Sequence, residues 1–197
     1  MAKFCIIAID YENHVPRDGM KNGLDSLSNQ TFKDFDLVIC HDGPKAMPYE
    51  KEYDFKSAGF NPIYLNTPER INDWGHSSRD YALAYAYNNL DCDYYLVFNI
   101  DNTLFPEALE KINNKIDDED SKIVIYGIYH VKEGREISGN PPVLNNVDCM
   151  QFIAHKDIWK ENNFWYNKEM ASDGYMIQDM CSKNQWSIIN EVLGINR

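Results

Sequence analysis

The sequence predicts an α/β fold, with a mostly parallel central sheet flanked by helices. Three observations point to it. Short runs rich in β-branched and aromatic residues alternate with segments whose apolar residues recur at helical spacing, the pattern of strands and helices taken in turn. The run Tyr94–Ile100 reads as a buried strand that turns abruptly polar at Asp101 and Asn102, as strands do where they deliver side chains to a crevice at the carboxyl edge of a sheet. The chain has 197 residues, enough for one domain that buries about 70% of its unfolded surface. A single domain over 1–197 is therefore expected.

The elements follow in order. Lys3–Ile9 is the opening strand and runs into Asp10-Tyr11-Glu12-Asn13. Met20, Leu24 and Leu27 form one helical stripe. Phe35–Cys40 is the second strand and Asn61–Leu65, opened by a proline, the third. From Ser77 the chain reads as a helix, with Ser77 as N-cap and Asp80 three residues on, close to a capping box. Its Tyr81, Tyr85 and Tyr87 are core or groove fillers. After the Tyr94 strand, Pro106 opens a helix, because a first-turn proline loses no hydrogen bond, and Leu109, Ile112 and Ile116 form its buried stripe. Lys122–Val131 and Val147–Ala154 read as further strands. Between them, the Gly- and Pro-containing segment Glu133–Asn146 is a long loop, and loops of that length tend to be functional. Asp173, ahead of Gly174-Tyr175-Met176-Ile177, suits a helix N-cap.

Composition narrows the function. A net charge of −12 excludes nucleic acid as a partner, since phosphate backbones are held mainly by Lys and Arg. The cluster Asp117-Asp118-Glu119-Asp120 reads as a solvated loop. Cys5, Cys40, Cys92, Cys149 and Cys181 lack C-x-x-C spacing, so neither a zinc ribbon nor a disulfide framework is indicated. No signal peptide and no transmembrane segment is apparent. The expectation is a cytoplasmic enzyme.

Four segments carry a more specific message. Ser26-Leu27-Ser28-Asn29-Gln30-Thr31 leads through Phe35-Asp36-Leu37 to Asp42-Gly43; Gly75-His76-Ser77-Ser78-Arg79-Asp80 opens a helix; Asn99-Ile100-Asp101 ends a strand; and Ala171-Ser172-Asp173-Gly174-Tyr175 follows late in the chain. In order and spacing they resemble the GT-A fold glycosyltransferases of family 2, over most of the chain. The resemblance implies a metal-dependent, inverting, hexosyltransferase-like enzyme that moves a sugar from a UDP- or GDP-type nucleoside-diphosphate sugar donor. The acceptor would be a hydroxyl of a glycan, a protein or a lipid-linked acceptor. It implies a nucleotide-binding half over 1–102 and an acceptor-side half over 103–197, with the 133–146 loop on the acceptor side.

It also implies residue roles. Asp101 would ligate Mn²⁺ or Mg²⁺, which take oxygen donors and are commonly held by one or two carboxylates plus substrate phosphates. Asn99 stands where the family usually has the first acid of an Asp-x-Asp motif, and its amide still hydrogen-bonds a hydroxyl. Ile9, Tyr11, Asp42, Arg79, Asn99, Ile100 and Asp101 would form the donor site, with Tyr11 stacking on the base, Asp42 accepting from it, and Arg79 with its helix terminus meeting the diphosphate. Asp42 also suits a plain turn before Gly43. Asp173 would be the general base, with Glu169 as fallback, and Asp148 and Trp159 would shape the acceptor pocket. His155 reads as structural.

Three other readings bear on the same residues. Phe98–Phe105 looks like the first motif of haloacid-dehalogenase phosphatases, but Asn99 stands at the nucleophile position and forms no aspartyl-phosphate. A GT-A-like domain that binds a nucleotide sugar or glycan without transferring it is the non-catalytic alternative. A nucleotidyltransferase would need a glycine-rich loop that Ile9-Asp10-Tyr11 lacks.

Overall fold

The computed structural model describes residues 2–10, 17–45, 48–165 and 171–197. The opening strand β1 (Phe4–Asp10) is followed by α1 (Arg17–Ser28), β2 (Phe35–His41), β3 (Ile63–Asn66), α2 (His76–Asn89) and β4 (Tyr94–Asn99). Then come β5 (Thr103–Leu104), α3 (Ala108–Glu119), β6 (Ile123–His130) and β7 (Arg135–Ile137). The last elements are β8 (Phe152–His155), α4 (Lys156–Glu161), α5 (Ser172–Lys183) and β9 (Trp186–Asn196). One mixed sheet has the order β3-β2-β1-β4-β8-β6-β9-β5, with β7 on β6. The half β3-β2-β1-β4 is parallel. β8 enters antiparallel between β4 and β6, and β9 runs parallel to β6.

β1 is buried along its whole length, as a central parallel strand covered on both faces must be. Its side chains alternate between two cores. Phe4, Ile6 and Ala8 join Leu24 and Leu27 of α1 and Leu109 and Ile112 of α3. Cys5, Ile7 and Ile9 join Ala82 and Leu83 of α2, Trp159 of α4 and Met176 and Ile177 of α5. The chain leaves β1 toward β2 on one side and returns through α2 to β4 on the other. The strand order thus reverses between β1 and β4, and a ligand crevice is expected outside their carboxyl ends, at Asp10 and Asn99.

Several local expectations are corrected. Ser77 does not cap α2: Gly75 does, at φ 80°, a conformation glycine adopts without a Cβ penalty. The Asp73 carboxylate accepts the Ser77 N–H at 3.1 Å and its hydroxyl at 2.5 Å. The 147–154 segment is a strand only from Phe152; before it a short 3₁₀ turn over Cys149–Gln151 is capped by Asp148, whose carboxylate accepts the Met150 N–H at 3.1 Å. The 133–146 segment contains β7. α5 starts at Ser172 behind Ala171, so Asp173 lies in its first turn and is not its N-cap. β9 is absent from the sequence-based reading because Ser187, Asn190, Glu191 and Gly194 break its apolar pattern, and its ladder with β6 is itself irregular around Gly127.

Candidate functional site

A cleft of about 740 Å³ opens at the strand-order reversal. Arg79 of α2, Asn99 at the end of β4, Asp101 just beyond it, Asp148 before the 3₁₀ turn, and Asp173 of α5 all line it, with Trp74, His76, Lys132, Trp165 and Arg197. Residues distant in sequence converge here because β1 and β4 are neighbours while α2 and α5 pack on the same face of the sheet.

Arg79 is the hub of the floor. Its Nη2 donates to Asn99 Oδ1 at 2.9 Å and its Nη1 to the Trp74 carbonyl at 2.8 Å. The guanidinium carbon lies 4.9 Å from the centre of the Trp165 ring, within cation–π range. Trp165 in turn donates its indole N–H to Ser172 Oγ at 3.0 Å and approaches His76 Nδ1 at 3.1 Å. Arg79 is buried, and its Nε has no protein partner among the described residues. Such a donor costs free energy unless something satisfies it. The positive end of α2 is engaged by Asp73, so the positive charge in this cleft comes from side chains, Arg79, Lys132 and Arg197, more than from the helix terminus.

Asp101 is half-buried and faces the cleft. Burial pushes its carboxyl above the ordinary value, while nearby Lys132 and Arg197 pull it down. The turn that carries it is held from below: α1 passes so close that a Cβ on Gly23 would sit 2.0 Å from the Ile100 carbonyl oxygen and 2.8 Å from that of Asn102. A cleft-facing carboxylate whose ionised form is disfavoured by burial suits a divalent cation, and one such carboxylate with substrate phosphates and waters is an adequate set for Mg²⁺ or Mn²⁺. The donor set therefore fits the expected metal.

Asp148, Cys149 and Asp173 form a second cluster, their ligand-type atoms all within 4.8 Å of one another. Cys149 is a poor member, because burial holds its thiol well above its ordinary pKa and so protonated, and hard cations prefer oxygen. The Asp173 carboxyl is raised by burial and then by the Asp148 charge, with Arg79 opposing. Its Oδ1 accepts the Gly174 N–H at 2.8 Å. Asp148 is tied on its other oxygen by Asn196 Nδ2 at 2.8 Å.

The remaining expected residues are placed as follows. Asp42 does not line the cleft; its two oxygens accept the N–H groups of Ile71 and Asn72 at 2.9 and 2.8 Å, so it organises the loop leading to α2. Ile9 and Ile100 are buried in opposite cores and present no side chain to the cleft. Tyr11 and Glu169 lie outside the described residues. Trp159 is a core residue, donating to the Tyr95 carbonyl at 3.2 Å and fully buried, which corrects its expected place in an acceptor pocket. His155 caps α4 by accepting the Asp157 N–H at 3.3 Å, a structural role. Sequence reading missed His76, Trp165, Lys132 and Arg197. His76 sits inside the Gly75–Arg79 motif and could have been singled out, whereas the other three carry no local signal.

The family whose sequence model matches is Glycosyl transferase family 2, over residues 7–186. No curated protein matches. Among solved structures, TarS 1-349 of S. aureus superposes with a TM-score of 0.78 at 17% identity, covering 98% of this chain and 60% of its own. TarS 1-349 in complex with UDP-GlcNAc gives 0.79 at 16% identity, with 98% and 58% covered. The mannosyltransferase PcManGT from Pyrobaculum calidifontis, in complex with GDP-Man and Mn2+, gives 0.73 at 9%, with 99% and 56% covered. The chain thus spans less than two thirds of the length of these structures, and at such identities they bear on the fold. The family match over nearly the whole chain, joined to a mixed sheet whose strand-order reversal opens on Asn99-Ile100-Asp101, leads to one conclusion: the chain belongs to glycosyl transferase family 2 and carries the GT-A fold.

Proposed function

We propose that the chain transfers a sugar from a nucleoside-diphosphate sugar to an acceptor hydroxyl in a single, inverting displacement. The observation that carries this reading is the meeting, in one cleft, of three cationic residues (Arg79, Lys132, Arg197) with two carboxylates of different environment, Asp101 and Asp173. TarS in complex with UDP-GlcNAc and PcManGT in complex with GDP-Man and Mn2+ support a sugar nucleotide as the ligand class.

Asp101 would hold Mn²⁺ or Mg²⁺ together with the diphosphate oxygens. When bound, the cation neutralises charge on the leaving diphosphate. Arg79 and Lys132, both in the cleft lining, stabilise the same charge as it develops. Asn99 supports the site by orienting Arg79. Asp173 accepts the proton of the acceptor hydroxyl as its oxygen attacks the anomeric carbon and the bond to the diphosphate breaks. A carboxyl raised toward neutrality is a better matched base than an ordinary one. Asp42 keeps the Ile71–Asn72 loop in place within the nucleotide half, 1–102.

The test is melting temperature against UDP, GDP, CDP and TDP and their sugars, each with and without Mn²⁺, since a ligand of the native state raises stability by mass action. A cation-dependent shift with one nucleotide series is expected, and it names the donor base. No shift with any of them would overturn the donor-site assignment.

A further inference from the structure

The main cleft does not end at Asp173. A second compartment of about 160 Å³ continues from it, and the two share His130, Glu133, Asp148 and Asp173. We propose that this compartment is the acceptor subsite and that it receives a single sugar ring, so that the acceptor is a carbohydrate rather than a peptide side chain or a lipid phosphate. The proposal rests on the donor-site reading above and extends it to the partner substrate.

Three features of the compartment carry the argument. Its volume is well under the roughly 300–1,000 Å³ of pockets for drug-sized ligands, which suits one ring and not a peptide segment. Its lining divides into an apolar part, Ile137, Leu144 and Val147, and carboxylates at Glu133, Asp148 and Asp173. A sugar ring presents C–H groups on its faces and hydroxyl donors at its edge, and ionised carboxylates only accept. The one arginine, Arg135, is already engaged: its Nη2 lies 2.7 Å from Glu133 Oε2 and its Nε donates to the same oxygen at 2.7 Å. The compartment therefore has surplus negative charge, which opposes a phosphate-bearing acceptor and favours a neutral one rich in hydroxyls.

The wall of this compartment is fixed to the helix that carries the base. The Leu144 N–H donates to Gln178 Oε1 at 3.0 Å, across to α5. Leu144 also packs so tightly on Gly174 that an added Cβ there would lie 2.8 Å from its Cδ1. A ring seated against Leu144 is thereby held at a set distance from Asp173. Its hydroxyl oxygen attacks the anomeric carbon of the donor, its proton passes to the Asp173 carboxylate, and the diphosphate departs with the bonding pair.

The experiment measures nucleoside diphosphate release from whichever donor shifts the melting temperature. Release in water alone is compared with release in the presence of free mono- and disaccharides, a Ser/Thr peptide, and a short-chain prenyl phosphate. At least one saccharide is expected to accelerate release by about ten-fold or more, with the peptide and the prenyl phosphate inactive. Glu133→Gln, which keeps the shape of the side chain and removes one of the lining carboxylates, is expected to raise the half-saturating saccharide concentration about ten-fold, and Leu144→Phe, which fills the compartment, to lower kcat/KM by about ten- to two-hundred-fold. In both, the donor-induced melting shift reports a folded protein. Activation by the peptide or the prenyl phosphate alone, or saccharide kinetics unmoved in both variants, would overturn the proposal while leaving the donor site standing. Absence of any donor shift would overturn both.

Discussion

At the residue scale, the pairing of Arg79 with Asn99 explains a departure that sequence alone leaves puzzling. The amide oxygen accepts from Arg79 Nη2 and so belongs to the floor of the cleft. Asn99→Asp would place a carboxylate against a buried guanidinium already stacked on Trp165, a charge-assisted bond about twice as strong as a neutral one. We expect this variant to melt higher and to leave the Mn²⁺ requirement unchanged; a tightened Mn²⁺ requirement would show that residue 99 reaches the cation. Asp173 shows the opposite balance. Its carboxyl is raised above the ordinary 3.8 by burial first and Asp148 second, so the folded chain holds that proton more firmly than the unfolded one. The stability it contributes is present below pH 3.8 and is lost as pH rises through the folded value. Asp173→Asn is therefore expected to raise the melting temperature at pH 7 while slowing transfer by roughly 10²–10⁴-fold, the scale of a general base. The wild-type rate should climb with pH through the same raised value and then level off. A pH-independent rate, or a variant that transfers normally, would reject the base assignment.

At the scale of elements, the position of Asp101 depends on how closely α1 approaches the 100–102 turn. Gly23 permits that approach, and neighbouring contacts lock it: Ser26 Oγ accepts the Leu104 N–H at 3.2 Å, and the Gln30 side chain bridges the Phe105 carbonyl at 2.9 Å and the Leu109 N–H at 3.1 Å. Gly23→Ala puts a methyl group against the Ile100 carbonyl oxygen. The cost expected of overpacking is about 1–3 kcal/mol, and cation-dependent donor binding should weaken with it because the turn must shift. Chemical denaturation together with the Mn²⁺-dependent melting shift checks both. A variant that loses stability and keeps full donor binding would show that the turn is positioned by β4 alone.

At the scale of the whole molecule, the two halves of the sheet have different logic. The parallel half, β3-β2-β1-β4, brings Asn99 and Asp101 to the cleft by local chain order. The other half is completed by the last strand, β9, which pairs with β6 and β5 and carries Asn196 to Asp148. Asn196→Ala leaves the Asp148 carboxylate without that partner and is expected to cost about 1.5–3 kcal/mol, the range for hydrogen bonds to charged groups. Removing residues 186–197 altogether exposes the edge of β6 and is expected to abolish cooperative melting, followed by circular dichroism. A cooperative transition in the truncated chain would mean that the parallel half folds on its own.

Much of this was legible in the sequence, and for identifiable reasons. The strands β1, β2, β4 and β6 are continuous apolar runs because both faces are covered, and α1 and α3 carry one-sided apolar stripes; these are local patterns that any single segment displays. The same holds for the motif residues Arg79, Asp101 and Asp173, all of which line one cleft. What only the tertiary structure decided depends on contacts between distant segments. Asp42 turns its carboxylate to the 71–72 amides, Trp159 to the core, and Asn99 to Arg79. β9 forms despite a broken apolar pattern because β6 and β5 offer it backbone partners. The second compartment beside Asp173 exists because Gly174 lets the 133–146 segment close on α5. Periodicity records which face of an element is buried, but the partner a polar side chain finds is set by packing across the chain, and no single stretch of sequence contains it.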